Sequence, residues 1–422
     1  MVFPAPADHP RGESGERSAG TVAMAMITVR RPPRAAAAWI ALAAAVIAAA
    51  VAADDTPGIE AIAPPAAVPP EPPAVNLSPE VVTPLTVQCG AARASSTGNL
   101  LASERTAIPQ PRHAGPAARQ AKARRIVLGL AAEEARNRDA AIALELYWSL
   151  AEAQHSLPEI EAAAGVAELA LADRALLDRR GIELPIENAA LWQRRLDLDE
   201  ARILATGTRD ALATTLAPLA GLPAGPIATV HPAAGRAAVD LPLDVEPLVA
   251  EGLARRPELR MLRAALAHLD GDTVAVARQA LALVNPALGG GGGAKACKGI
   301  GGRLHRRRQE EEEVAHLRRS LRGLLRDRER AVAAEIRQAA RLVAAAAERV
   351  TAADRRLAVG EQAAADRRAR QRIGDSDAFA VHLADLEAIA ARRAVVERLA
   401  GWERARTELW RAQGVLAASC CP

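Results

Sequence analysis

A mainly all-α chain built from two long helical hairpins is the expected architecture, and three observations lead there. The stretch from Ala141 to Gly221 and the stretch from Ala334 to Gly414 share one layout: a long Ala/Arg/Glu-rich segment, a turn marked by Gly181 or Gly374, a second helical segment, and a closing Gly221 or Gly414. Both glycine pairs are 40 residues apart, so the two copies superpose without a gap. A repeat of helix, tight turn and helix sets the architecture before any single residue is interpreted. Composition agrees: half of the 422 residues are apolar, mostly Ala, and only 2% are aromatic. That leaves too few large side chains for several globular cores, whereas Ala with Leu, Glu and Arg favours long helices packed through small residues. The third observation is periodicity. Val395, Leu399, Trp402 and Leu409 follow one another at spacings of 4, 3 and 7, which is a coiled-coil seam. In the first copy Ile126, Leu130, Ile142, Leu146, Leu150, Leu169 and Leu176 recur at comparable spacings and are expected on its buried face.

Each segment follows in order. Within residues 1–53 a polar start, with Met24 or Met26 as alternative initiators, leads to Arg30, Arg31 and Arg34 and then to an uncharged run from Ala35 to Ala53. Basic residues, an apolar run and a small-residue exit make up a secretory signal peptide. A membrane anchor competes, because 19 residues just span a bilayer. Residues 54–117 read as a Pro-rich linker and an irregular segment, in which SSTGNLLASER can form a short helix after a Ser or Thr cap. Residues 118–222 are the first hairpin repeat, with its second arm at about 187–219. Pro158, inside an S-x-x-E capping box of Ser156 and Glu159, is expected to kink or restart the first arm. Residues 223–247, rich in Pro, Gly and His, are a loop or a small side domain, the equatorial segment. A helix entering the second half takes up 248–285, with a break before Pro257. A Gly-rich window spans 286–303 and the second hairpin repeat 304–417, with arms at about 303–372 and 378–416; residues 418–422 are a tail.

A net charge of +4 on 54 basic and 50 acidic residues is nearly balanced, and nothing gathers it into one stripe, so no nucleic-acid partner is expected. GGGGGAKACKG lacks the G-K-S/T of a phosphate loop, since Ala296 follows Lys295. Cys89, Cys297, Cys420 and Cys421 contain no C-x-x-C pair, and the histidines, from His113 through His155, His231, His268, His305 and His316 to His382, show no helix-face metal spacing. Neither a metal nor another cofactor is expected. Arg306 to Arg308 suit either a lipid headgroup or a solvated helix start.

The order of these features resembles the bacterial outer-membrane efflux protein family, the TolC-like channels, over about Arg124 to Leu416. The duplicated hairpin, its turn glycines and the L-x-x-x-x-G close of each second arm carry the likeness. The segment from Leu253 to Arg260, LARRPELR, is similar to the family's Arg-Pro-acidic-Leu entry into its second half. The resemblance implies a homotrimer, each protomer supplying duplicated coiled-coil staves of a hollow periplasmic α-barrel, continued by a small β-barrel in the outer membrane. It implies a passive exit duct without chemistry, paired with a periplasmic adaptor and an inner-membrane pump in efflux or type I secretion. The hairpin turns would be the pump-facing tips. Near them lie Glu183 and Glu187 in the first repeat and Asp375 and Asp377 in the second. Threefold symmetry would gather these acids into carboxylate rings that act as a gate; the alternative reading is a solvated loop with capping residues. The family's Asp about six residues beyond the turn glycine is Ala380 here.

The sequence departs from that family in its membrane portion. The windows corresponding to barrel strands, Val87 to Pro116 and Pro286 to Arg303, contain no Tyr, Phe or Trp, and the second is mostly Gly. A short or vestigial β-barrel portion is therefore expected. A barrel-less periplasmic coiled-coil scaffold derived from the family is the alternative to a conducting duct. Cys89 and Cys297, one in each window, are expected either to pair as a disulfide or to remain thiols.

Overall fold

The computed structural model describes residues 80–284 and 302–420, apart from residues 112, 114, 182–187, 224 and 240–242, and side chains are described for all of these but 80 and 302–310. The signal peptide, most of the Pro-rich linker, Glu183, Glu187, Cys297 and all but the end of the Gly-rich window lie outside the described residues. Nine α-helices are described: α1 (Pro84–Ala94), α2 (Ser96–Ala107), α3 (Pro116–Arg179), α4 (Asn188–Leu219), α5 (Val245–Arg255), α6 (Pro257–Ala267), α7 (Val274–Val284), α8 (Gly302–Arg372) and α9 (Ala378–Gln413). Two three-residue strands, β1 (Glu80–Val82) and β2 (Ile227–Thr229), pair in parallel with Val81 opposite Ala228. The helices are long because Ala, Leu, Arg and Glu carry the best intrinsic helix propensities; at 1.5 Å per residue the 71 residues of α8 extend about 105 Å.

The four long helices lie side by side in the order α4, α3, α9, α8, so α3 and α9 are packed on both flanks while α4 and α8 form the edges. Val395, Leu399, Trp402 and Leu409 are all buried, in a core with Val332, Ile336 and Val343 of α8. In the first copy the expected seam is corrected. Leu130 and Leu150 are buried, but Ile142 is 43% exposed and Leu169 55%. The positions that pack instead are Leu128, Leu144, Tyr147 and Ile160, interleaved with Ala143, Ala151, Ala163, Ala167 and Ala170. On an Ala-lined helix the tightest contacts fall on the small residues, and size no longer marks the buried face.

Pro158 does not restart the helix, because α3 is one helix from Pro116 to Arg179. A proline inside a helix costs about 3 kcal/mol. Its neighbours Leu157 and Ile160 are both buried, and burying each contributes about 1.5–3 kcal/mol, so packing holds the helix through the missing hydrogen bond. Glu159 does not cap a new helix; it pairs with Arg392 of α9 at 3.1 Å. The segment expected to be irregular contains α1 and α2. Pro84 opens α1 in the first turn, where its missing N–H is no loss, behind a Thr83 cap that accepts from the Thr86 N–H at 3.2 Å. Ser95 caps α2 by accepting from the Gly98 N–H at 3.0 Å, as the sequence anticipates for this stretch. Beyond the break at Pro257 there is a further one, where Asp270 and Thr273 cap each other before α7. Cys89 pairs with Cys420, Cα atoms 5.0 Å apart, and not with Cys297. Helix α1 is the reason: it packs Cys89 beside the C-terminal turn Ala418–Cys420.

The duplication reaches beyond the hairpins. A pair of short helices precedes each long one, α1 and α2 broken at Ser95, α5 and α6 broken at Arg256. Gly181, Gly221, Gly374 and Gly414 all have positive φ, between 61° and 79°. Three of them close Schellman motifs, for example Leu222 N–H to Ala217 O at 2.9 Å and Val415 N–H to Trp410 O at 3.3 Å. Each closing glycine then sits against the break of its own short pair, Gly221 on Ala94 and Gly414 on Arg256 and Pro257. One turn earlier in the short helices, a methyl on Gly90 would overlap the Ala220 carbonyl, and one on Gly252 would overlap the tip of Ile336 beside Gln413. Gly165 in α3 has nothing within 4 Å.

These environments set opposite signs for one substitution. Gly90→Ala, facing a fixed backbone carbonyl, is expected to lose about 1–3 kcal/mol in urea unfolding. Gly165→Ala is expected to gain about 0.5–1 kcal/mol from helix propensity. Equal effects at the two positions would contradict the close approach. Reducing Cys89–Cys420, which spans 331 residues, is expected to lower stability by up to about 6 kcal/mol on the chain-entropy account; the same unfolding midpoint with and without reductant would refute the bond.

Candidate functional site

Both hairpin turns lie at one end of the helical layer. Phe379, just past the second turn, is buried with Leu191 and Ala170 of the first hairpin, and Leu177 and Leu383 pack against them. His382 Nε2 meets Asp173 at 3.2 Å across the two hairpins, and Arg368 meets Asp385 at 2.6 Å within the second. Of the acids expected here, Asp377 is the N-cap of α9, its Oδ1 accepting from the Ala380 N–H at 2.6 Å. Asp375 is exposed, and its backbone N–H closes the turn on Arg370 O at 2.9 Å. Gly181 and Gly374 are the turns, and Ile373 beside the second is 78% exposed.

A second cluster sits midway along the layer, where β2 and the following 3-10 turn Pro232–Ala238 dock on α3 and α9. Helix α3 supplies groups that imitate a neighbouring strand. The Gln154 amide donates to Ile227 O at 2.6 Å and accepts from the Thr229 N–H at 2.9 Å. The Tyr147 hydroxyl donates to Val82 O and accepts from the Val230 N–H, both at 2.9 Å, so one phenol bridges β1 and the end of β2. Burial pushes this phenol up to about 12. His155 reaches Thr229 O at 3.3 Å, and its ring lies 4.5 Å from that of His231, whose Nδ1 accepts from the Ala233 N–H at 3.0 Å. On α9, Arg406 stacks between Trp402 and Trp410, 4.6 Å from each ring, and pairs with buried Glu403 at 3.0 Å. Burial holds the Glu403 carboxyl above its usual range.

The Arg-Pro-acidic-Leu stretch gains a physical account. Arg256 is buried, with its guanidinium 2.8 Å from Glu258, 2.8 Å from Glu335 of α8, and donating to Ala412 O in the last turn of α9 at 2.8 Å. Arg328 lies 3.0 Å from both carboxylates. Pro257 opens α6 and Leu259 is fully buried. The motif therefore ties α6 to α8 and to the close of α9. Nothing local in the sequence pointed to Tyr147, Gln154 or the Glu335–Arg328 pair, whose partners are remote in the chain.

The edges of the layer carry apolar residues in the open. On α4, Trp192, Leu196 and Ile203 fall on one stripe, and Ile203 is 70% exposed; on α8, Val359 is 71% exposed. Among the described residues no helix is long and apolar enough to cross a membrane, and no cluster of three or more His, Cys, Asp or Glu could hold a metal ion.

No family model matches the chain, and no curated protein matches it. Among solved structures, it is similar to a membrane protein from Pseudomonas aeruginosa, at 13% identity and a TM-score of 0.56 over 79% of this chain and 90% of that one. It is similar to the outer-membrane channel OprN at 14% identity and a TM-score of 0.53, over 78% of this chain and 89% of that one. The Campylobacter jejuni CmeC outer membrane channel matches at 12% identity and a TM-score of 0.52, over 78% of this chain and 84% of that one. The long-hairpin fold of this chain is thus the fold of these outer-membrane channels.

The two tip acids that are described make a separable pair. Asp377→Ala is expected to cost about 1 kcal/mol by removing the cap of α9, with Asp377→Ser largely restoring it. Asp375→Ala is expected to change unfolding by less than about 0.5 kcal/mol. Equal losses at both positions would show that Asp377 does not act as a cap.

Proposed function

We propose that this chain is the exit-duct component of a tripartite efflux or type I secretion system, a passive homotrimer working with a periplasmic adaptor and an inner-membrane pump. The observation that carries this reading is the open four-helix layer. Among the long helices α4 packs only on α3 and α8 only on α9, and the exposed apolar residues of α4 form a stripe along it. A layer whose two edges differ closes by joining edge to edge around an axis, which is how head-to-tail contacts make rings. Three copies would give six hairpins around a lumen, with Gly181 and Gly374 at the pump-facing end. There Glu183, Glu187, Asp375 and Asp377 would form carboxylate rings that favour cations. The run from Ala35 to Ala53 would export the chain, leaving most of it in the periplasm. No step of this function needs a cofactor or a catalytic residue.

One observation favours a second reading, a barrel-less periplasmic scaffold without a conducting pore. Helix α2 ends at Ala107 and α3 begins at Pro116, which leaves eight residues between them. A membrane strand takes about 9–11 residues, so the first repeat has room for no strand pair. The second window offers residues 285–301 between α7 and α8.

Light scattering of the chain after cell fractionation, with and without detergent, separates the readings. A trimer confined to the detergent-extracted outer membrane supports the duct. A monodisperse monomer or oligomer soluble without detergent overturns the duct and supports the scaffold. Leu196→Glu with Ile203→Glu, two charges on the exposed stripe of α4, is expected to convert the trimer to monomer while far-UV circular dichroism stays unchanged. A variant that remains trimeric would remove α4 from the interface.

A further inference from the structure

We propose that His155 and His231 form an acid-sensitive clasp: at neutral pH it holds the turn Pro232–Ala238 against α3 and α9, and in acid it releases that turn. The two imidazoles come from opposite sides of a docking contact, His155 from α3 and His231 from the residue that caps the turn. Their hydrogen bonds define the neutral tautomers. His155 uses Nε2 to donate to Thr229 O at 3.3 Å, and His231 uses the lone pair of Nδ1 to accept from the Ala233 N–H at 3.0 Å. Protonating His231 puts a hydrogen on that Nδ1 and ends the cap. Protonating both rings places two cations with centroids 4.5 Å apart.

Nearby carboxylates are engaged by guanidinium groups, and Glu159 offsets the effect at His231 only in part. On α3, Glu159 is paired with Arg392 at 3.1 Å and Glu152 with Arg404 at 2.7 Å. On α9, Glu403 is paired with Arg406, and on α8, Asp354 with Arg236 of the turn itself at 2.6 Å. These four carboxylates thus each have a guanidinium partner. Burial, and then the neighbouring His231, lower the pKa of His155; burial lowers that of His231 against a smaller opposing effect of Glu159. The sign follows. A histidine with a depressed folded-state pKa contributes its stability fully above the ordinary value near 6.5 and loses it as pH falls through and below that value. Glu403, raised by burial, has the opposite sign and becomes easier to bury in acid.

Release has a defined consequence. Gly235 lies directly on the Glu403 carboxylate and near Trp402, which is 2% exposed. Once the turn lifts, that carboxylate and indole meet solvent, whereas β2 keeps its bonds to Gln154 and Tyr147. The clasp opens the middle of the layer locally and leaves the hairpins intact, and it does so whether or not the chain forms a duct.

Hydrogen exchange of peptides covering residues 231–239, corrected for intrinsic rates, tests this on the full chain at about pH 7.5 and about pH 5. Protection is expected to fall about tenfold in acid, with peptides around Leu399 unchanged. The His155→Gln, His231→Asn double variant keeps a neutral donor and a neutral cap, and it is expected to show no fall. Unchanged protection in the wild type, or the same fall in the double variant, would overturn the clasp. A proton NMR titration of the wild-type imidazoles serves if the variant does not fold: both rings titrating at or above the ordinary histidine value would equally overturn it.

Discussion

Close approach of backbone to backbone is the constraint on which the layer depends. Gly90 and Gly252 let the short helices touch the last turn of α4 and of α9, and Gly221 and Gly414 let those helices stop there and turn away. Side chains at Gly90, Gly252 and Gly414 would push the short pair off the long helices, and Gly221 is held by its positive φ. The rest follows from that seating: Arg256 can reach Ala412 O only because Gly414 lies against it, and Cys89 meets Cys420 only because α1 is held down. A composition dominated by Ala suits the same geometry, since small side chains let whole helices approach along their length.

The parts legible in the sequence are those written in backbone chemistry. All four left-handed glycines were visible as a repeat, because only glycine fills that region without strain and the spacing is identical in both copies. The α9 seam was visible because Val395, Leu399, Trp402 and Leu409 are large residues among small ones. The α3 seam was not. There Ala143, Ala151 and Ala167 are buried while Ile142 and Leu169 lie outside, so reading size as burial placed only part of the face. Proline misled at Pro158, where no helix restarts, since its effect depends on whether the lost N–H was needed and on what packs beside it.

The central docking contact was illegible for another reason. Gln154 and His155 stand on an ordinary helical stretch, and their partners are backbone atoms of Ile227 and Thr229, more than 70 residues away. A side chain that imitates a strand leaves no periodicity. Among the tip acids, Asp377 has a local role that Asp-x-x-Ala at a helix start allows, whereas Asp375 carries no such local signature. The Arg-Pro-Glu stretch was noticed as a likeness, but its work, joining α6, α8 and α9 through one guanidinium, needed the three helices in place.

The Cys89–Cys420 bond also says something about biogenesis. Its two sulfurs come from α1 and from a turn beyond the close of α9, so both hairpins must be synthesised and both glycine closures seated before they meet. During synthesis Cys89 emerges long before its partner and must stay unpaired while Cys297 passes by. The bond is therefore a seal on a finished protomer: it persists in an oxidising compartment, and a chain that carries it has α1 tied to the turn beyond α9.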